Sequence, residues 1–195
     1  MERNTMTGKQ SIRSKYLGYR NGLTTLERKE KSEQIKQRLQ KETVYIEAQA
    51  VLVYMNYRSE VITTEIVEEL LSTGNKKVYA PRVEGMDIYF YEIKSLSDLQ
   101  AGYQGIREPE SIPEKLLTEE MTRNMKCLVL VPGAVFDRER GRMGYGKGFY
   151  DRFLAKYPDV ATAALAFQCQ IARKVPTEPH DRKVDIIITE DEVIR

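Results

Sequence analysis

The chain has 195 residues and a mass of 22.6 kDa, with 31 Lys plus Arg against 29 Asp plus Glu, one His, two Cys and no Trp. At roughly 150 residues per domain this predicts a single domain over 1–195 rather than two enzyme domains, and 41% hydrophobic with 31% charged residues excludes a disordered, tail-like chain. A net charge of +2 cannot supply the phosphate contacts of non-specific nucleic-acid binding, so no nucleic-acid partner is expected and any anion site is local.

Between Lys9 and Arg20, Ile12, Tyr16, Leu17 and Tyr19 fall near helical spacing, and Asn21-Gly22 supplies a stop, which predicts a first helix. Thr24-Thr25-Leu26-Glu27 fits a capping box, in which a hydroxyl takes a free N–H at the helix start and the Glu reaches back. The charged helix it opens runs to about Lys41 and packs by one narrow stripe through Leu26, Ile35 and Leu39. Ala50 to Met55 is a continuous apolar run rich in β-branched residues, as expected of a strand covered on both faces. Thr63-Thr64 then caps a helical pattern of Ile66, Val67, Leu70 and Leu71 that stops at Gly74, and Lys77 to Pro81 reads as the next strand. Strand, helix, strand is a βαβ unit, which crosses over right-handed.

A further small strand is expected at Asp87 to Ile93. From Ser95 to Asn124, with Gly102, Gly105, Pro109 and Pro113, no period is sustained, and one helix near Glu114 to Met121 is expected. Cys127 to Val131 is the clearest buried strand and ends at Pro132-Gly133; two more strands follow near Val160 to Phe167 and Val184 to Thr189. The fold class is therefore α/β, with a mainly parallel sheet flanked by helices and ligands bound at the carboxyl ends of its strands. Cys127 and Cys169 show neither a C-x-x-C nor a Cys/His spacing, which predicts no disulfide framework, no structural zinc and a reducing compartment. Met1-Glu2-Arg3-Asn4 opens no apolar leader, and no run of about 18 apolar residues appears, so a cytoplasmic protein without membrane partners is expected.

The chemistry is expected just after the Cys127–Val131 strand. Gly141, Gly144, Gly146 and Gly148, interleaved with Arg142 and Lys147, allow close backbone approach to an anion, and a helix starting near Lys147 offers free N–H groups. Phosphate is the natural guest. Gly141 to Lys147 satisfies G-x-x-x-x-G-K, but Gly148 stands where Ser or Thr would bind Mg²⁺, and Pro132 to Arg140 separate the loop from its strand. A standard P-loop is thereby rejected, and Gly144-x-Gly146-x-Gly148 lacks the dinucleotide spacing. By glycine content alone a long surface turn is the rival reading. Lys9 and Arg13, four apart, share one helix face, which by itself reads as a solvated charged face. Asp151 in the first helical turn and Asp185 at the opening of the last buried strand could converge on one hard cation, or serve as a helix-start carboxylate and a strand-end cap. Met55 reads equally as a core gap filler.

The order of strand, Pro132-Gly133, Phe136-Asp137, Arg/Gly/Lys loop and Tyr150-Asp151-Arg152-Phe153-Leu154 resembles the 5-formyltetrahydrofolate cyclo-ligase, or methenyltetrahydrofolate synthetase, family. The likeness extends to Lys9 and Arg13, to Val53-Tyr54-Met55 and Glu60, to Tyr79-Ala80-Pro81-Arg82 and to the segment from Pro179 through His180 to Asp185. It implies a three-layer α/β/α fold related to the sugar-phosphate isomerase and CoA-transferase type. It further implies ATP- and Mg²⁺-dependent cyclisation of 5-formyltetrahydrofolate to 5,10-methenyltetrahydrofolate with release of ADP and phosphate. Phosphorylation of the formyl oxygen would precede attack by N10.

By the same resemblance Lys9, Arg13, Arg142, Met143, Gly144, Tyr145, Gly146, Lys147, Gly148 and Phe149 bind the nucleotide, and Met55, Glu60 and Tyr150 face the folate. Arg142, Lys147 and Tyr150 carry the catalysis, and Asp151 and Asp185 hold Mg²⁺. Phe149 stands where the family often has tyrosine and brings no hydroxyl. The single histidine, His180, is expected to be structural rather than a general base, and the protein is expected to be a monomer. Two rivals from other classes are an RNA-binding module, with basic patches at Lys9–Arg20 and Arg138–Arg142 and Tyr16 and Tyr19 to stack, and a sugar-phosphate enzyme of the same fold.

Overall fold

Three helices open the chain. A computed structural model describes residues 8–176 and 182–195, so Pro179, His180 and Asp181 lie outside the described residues. The helices are α1 (Gly8–Asn21), α2 (Thr25–Leu39) and the short α3 (Thr43–Ile46). The capping box at the start of α2 is formed: Thr24 Oγ1 accepts from the Glu27 N–H, and the Thr24 N–H donates to Glu27 Oε2 at 2.8 Å. Leu26, expected in the apolar stripe of α2, is 65% exposed instead; Ile35, Leu39 and the small Ser32 form the buried side.

The middle of the chain is β1 (Ala50–Leu52), α4 (Thr64–Thr73), β2 (Lys77–Glu84), β3 (Asp87–Ile93), the hairpin β4 (Leu99–Ala101) and β5 (Arg107–Pro109), and α5 (Glu119–Asn124). Thr63 does not cap α4 with its side chain; its hydroxyl donates to the Tyr54 carbonyl at 2.6 Å and ties the helix start to the end of β1. At the other end Gly74 takes the left-handed conformation, φ 62°, that terminates the helix. The helix expected near Glu114 begins later, because Pro113 opens a 3₁₀ turn and Thr118 supplies the cap of α5 through the Met121 N–H.

The last part holds β6 (Cys127–Val131), β7 (Val135–Asp137), β8 (Arg142–Met143), α6 (Phe149–Lys156), β9 (Ala161–Leu165), β10 (Ile171–Ala172), β11 (Ile186–Ile188) and β12 (Val193–Ile194). Among the described residues the main sheet has the order β12-β11-β9-β6-β1-β2-β3. The strands β11, β9, β6, β1 and β2 run parallel, with antiparallel β12 and β3 at the edges. Side chains alternate across it as the period of a strand requires. Val51, Leu128, Leu130 and Ile188 pack with α2 and α4 on one face, and Leu52, Val129, Val131 and Ile187 pack with Phe153 and Leu154 of α6 on the other. That is a three-layer α/β/α arrangement. A second small sheet, β10-β7-β8, had no periodic signal in the sequence; α1 packs on it through Ile12, Tyr16 and Leu17.

From β1 the chain winds outward through β2 to β3, and from β6 it winds the opposite way through β9 to β11 and β12. The β1/β6 boundary is thus the topological switch point of the sheet, where the loops leaving two adjacent carboxyl ends diverge and open a crevice.

Candidate active site

The crevice at the switch point is a cavity of about 650 Å³, within the ~300–1,000 Å³ range of small-molecule sites. Tyr54 and Met55, just beyond β1, and Pro132, just beyond β6, form its floor. Lys9 and Arg13 reach it from α1, Glu60 from the loop after β1, and Tyr103 and Gln104 from the β4–β5 hairpin. The segment from Arg142 to Asp151 lines it as well, as do Pro81 and Val83 of β2, Ile88 of β3 and Glu108 of β5.

The glycine loop has the backbone that its composition requires. Gly146 at φ 90° and Gly148 at φ 67° sit in the left-handed region, where a Cβ is strained, and Gly148 is the cap from which α6 starts. Arg13 fastens the loop to α1: its Nε donates to the Gly144 carbonyl at 2.9 Å, and its guanidinium lies against Gly146. Lys147 carries an ammonium with no ion pair among the described residues, facing the cavity. Arg142 is buried and donates to Asp151 and, at 3.4 Å, to the Pro132 carbonyl, while its Nε has no hydrogen-bond partner among the described residues.

Beside the glycine loop Glu60 is buried, which raises its carboxyl above the usual range. The Tyr145 hydroxyl, the Tyr57 N–H and the Arg20 charge oppose that rise. Oε2 accepts from the Tyr57 N–H at 2.8 Å, and Oε1 accepts from the Tyr145 hydroxyl. Burial, and next the charge of Glu60, drive the Tyr54, Tyr145 and Tyr150 phenols upward, so all three are neutral O–H groups. The Tyr150 hydroxyl makes no hydrogen bond among the described residues and lines the cavity, where it is a ready donor.

Of the residues singled out in the sequence, the structure gathers Lys9, Arg13, Met55, Glu60, Arg142, Met143, Gly144, Tyr145, Gly146, Lys147, Gly148, Phe149, Tyr150 and Asp151 around one cavity. Asp185 is not among them. It precedes β11, at the amino end of that strand, and its Oδ2 accepts from the Thr162 N–H at 2.7 Å and the Thr162 hydroxyl at 2.9 Å. The convergence of Asp151 and Asp185 on one cation is therefore not formed; parallel strands put the start of β11 and the carboxyl ends of β1 and β6 at different edges of the sheet. Among the described residues no group of three or more His, Cys, Asp or Glu gathers to hold a metal. Of the two carboxylates only Asp151 lines the cavity, with one oxygen paired to Arg142 and the other left for a cation of the kind that one or two carboxylates, water and substrate phosphates hold.

Sequence reasoning missed Arg20, Tyr57, Arg58, Tyr103 and Gln104, all of which line the cavity. Arg20 closes a helix where a basic residue is ordinary. Arg58 and Gln104 hold φ of 54° and 53°, conformations unusual for non-glycine residues that cluster at functional sites; nothing in their local sequence signals them.

The model of the 5-formyltetrahydrofolate cyclo-ligase family matches residues 5–190. The chain belongs to that family. As a member of a cyclo-ligase family it is a ligase enzyme. It is 26% identical to the 5-formyltetrahydrofolate cyclo-ligase of Mus musculus, covering 95% of each chain. It is 27% identical to that of Escherichia coli, over 89% of this chain and 96% of the relative. The solved structure of Aquifex aeolicus 5,10-methenyltetrahydrofolate synthetase superimposes with a TM-score of 0.83 at 31% identity, over 97% of this chain and 93% of that one. The 5,10-methenyltetrahydrofolate synthetase from Mycoplasma pneumoniae gives a TM-score of 0.73 at 21% identity, over 94% and 99%, a likeness that bears on the fold alone.

Proposed function

We propose that this chain converts 5-formyltetrahydrofolate to 5,10-methenyltetrahydrofolate at the expense of ATP, with Mg²⁺, releasing ADP and phosphate. The observation that carries the reading is that one cavity gathers two kinds of lining: a glycine loop flanked by Arg13, Arg142 and Lys147, and a buried carboxylate, Glu60, with Met55. The first suits a polyphosphate; the second suits a flat heterocycle with adjacent N–H donors.

A formamide carbon is a poor electrophile and its oxygen a poor leaving group, and phosphorylating that oxygen solves both problems. The formyl oxygen attacks the γ-phosphorus as ADP departs. N10 then attacks the activated carbon, and loss of phosphate, which carries off the N10 proton, leaves the conjugated methenyl bridge. Such a route asks the protein for positioning and charge stabilisation rather than for a side-chain nucleophile. The loop amides, Lys147 and the guanidinium of Arg142, which has an unpartnered Nε, offset the phosphate charge. The neutral Tyr150 hydroxyl, which lines the cavity, would donate to the reacting oxygen. Asp151 would hold Mg²⁺, which when bound supplies charge neutralisation at the phosphates.

The reading places the enzyme in the cytoplasm as a monomer; both cysteines are free, which accords with a reducing compartment, and no described helix is long and apolar enough to cross a membrane. The test is absorbance of the methenyl chromophore as folded protein meets 5-formyltetrahydrofolate with ATP and Mg²⁺ added or withheld. A rise that requires both is expected. No rise with all present, or a rise indifferent to ATP, would overturn the reading.

A further inference from the structure

Arg20 stands outside the roles assigned above. It closes α1 and is 4% exposed, and a charge so buried persists only where partners surround it. Its Nε donates to Ser59 Oγ at 3.0 Å, and one terminal nitrogen donates to the Tyr145 hydroxyl at 2.7 Å and to the Gly133 carbonyl at 3.4 Å. Tyr145 in turn donates to Glu60.

This sequence of bonds has one possible direction. A guanidinium only donates, so the phenol oxygen accepts from Arg20 and its single hydrogen is committed to the carboxylate. Each bond polarises the next, which strengthens both in a buried setting. A carboxylate has about four acceptor positions. Tyr57 and Tyr145 each take one, on different oxygens, leaving a free position on each for two neighbouring N–H groups of a ligand. Tyr145 is 43% exposed while its hydroxyl turns inward, so this residue links the glycine loop to Glu60 without being part of the core.

We propose that Arg20 is a positioning residue which, through the Tyr145 hydroxyl, fixes the Glu60 carboxylate in the orientation and charge state that receives the folate. The proposal rests on the reading of Glu60 as the folate contact. The groups that face Glu60 are Arg20 from α1, Tyr145 from the glycine loop, Tyr54 and Tyr57 from the segment after β1, and Tyr150 from α6. The phenols of Tyr54, Tyr145 and Tyr150 are neutral, so Arg20 is the cation among these groups, and with the Tyr145 hydroxyl it favours the ionised form against burial.

The test is steady-state kinetics of the full chain, each substrate varied against a saturating level of the other, for Tyr145→Phe, Arg20→Gln, Arg20→Lys and Glu60→Gln. Tyr145→Phe and Arg20→Gln are expected to raise the folate KM about tenfold while the ATP KM stays within about twofold. In both, the acid limb of kcat/KM for folate moves to higher pH, because Glu60 then takes up its proton more readily. Arg20→Lys, which keeps the charge, moves that limb less than Arg20→Gln. The double variant loses no more than the worse single one, since both break the same link. Tyr145→Phe removes only a hydroxyl from a half-exposed ring, so it tests the proposal even where an Arg20 variant fails to fold. An unchanged folate KM in Tyr145→Phe, or equal rises in both KM values, would overturn it. Glu60→Gln separates the failures: if it too leaves the folate KM unchanged, the reading of Glu60 falls and the proposal with it. If Glu60→Gln raises the folate KM and Tyr145→Phe does not, only the role of Arg20 falls.

Discussion

Glu60 and Lys147 are opposite solutions to charge in the lining of one cavity. Glu60 is buried, and burial raises its carboxyl above the usual range, so the folded chain holds the proton more tightly than the unfolded one. Stability is therefore fully present at pH below the ordinary carboxylate value and declines as pH rises through the elevated one. Glu60→Gln should accordingly gain Tm relative to the parent as the pH rises from 4 to 7, set against a pH-independent cost of the bond from Tyr57 or Tyr145 that its amide nitrogen cannot accept, while folate use is impaired. Melting curves across that range read the effect, and a gain independent of pH would contradict it. Such a trade of stability for function is common at binding sites. Lys147 has no ion pair among the described residues, so its loss leaves no partner stranded. Lys147→Ala should leave Tm within about 1 °C, the folate KM unchanged and the ATP KM raised about tenfold or more, a loss of one charge-assisted contact.

Among the elements, the start of α6 concentrates the consequences. Gly148 caps that helix at φ 67°, which a side chain adopts at a cost of about 1 kcal/mol. Gly148→Ala should lower stability by about that amount and weaken nucleotide use as well, because the loop amides and Lys147 reset together; denaturant melts and ATP kinetics measure the two effects. A drop in stability with unchanged ATP kinetics would mean that the loop does not hold the nucleotide. The regular elements could be read because their signals are local. The capping box of α2, the β-branched run of β6 and the stop at Gly74 each depend on neighbours in sequence. The small sheet β10-β7-β8 could not, because its short strands are defined by each other and by the packing of α1, with no period of their own.

At the scale of the whole molecule the cavity draws on parts of the chain that are far apart. Arg13 and Gly144 are 131 positions apart, and Tyr145 and Glu60 are 85 apart. A nucleotide that engages α1, the glycine loop and α6 together binds the folded state only, and at a hundred times its Kd it should add about 2.7 kcal/mol. Thermal melting with and without ATP and Mg²⁺ should show a matching upward shift in Tm; an unchanged midpoint at saturating ATP would count against a nucleotide site here.

Sequence alone determined what depends on residue type and local order: the α/β class, the principal strands, the glycine loop with its two cations, and the family likeness of that order. Those features arise from backbone sterics and short-range periodicity, which the chain carries wherever it lies. Only the tertiary structure decided what lies next to what. It set Asp185 against Thr162, away from the cavity, and exposed Leu26 where a stripe was expected. It also buried Arg20 between Ser59, Gly133 and Tyr145. The reason is that a partner across the sheet is chosen by winding order and strand polarity, and neither is written at the residue that acquires the partner.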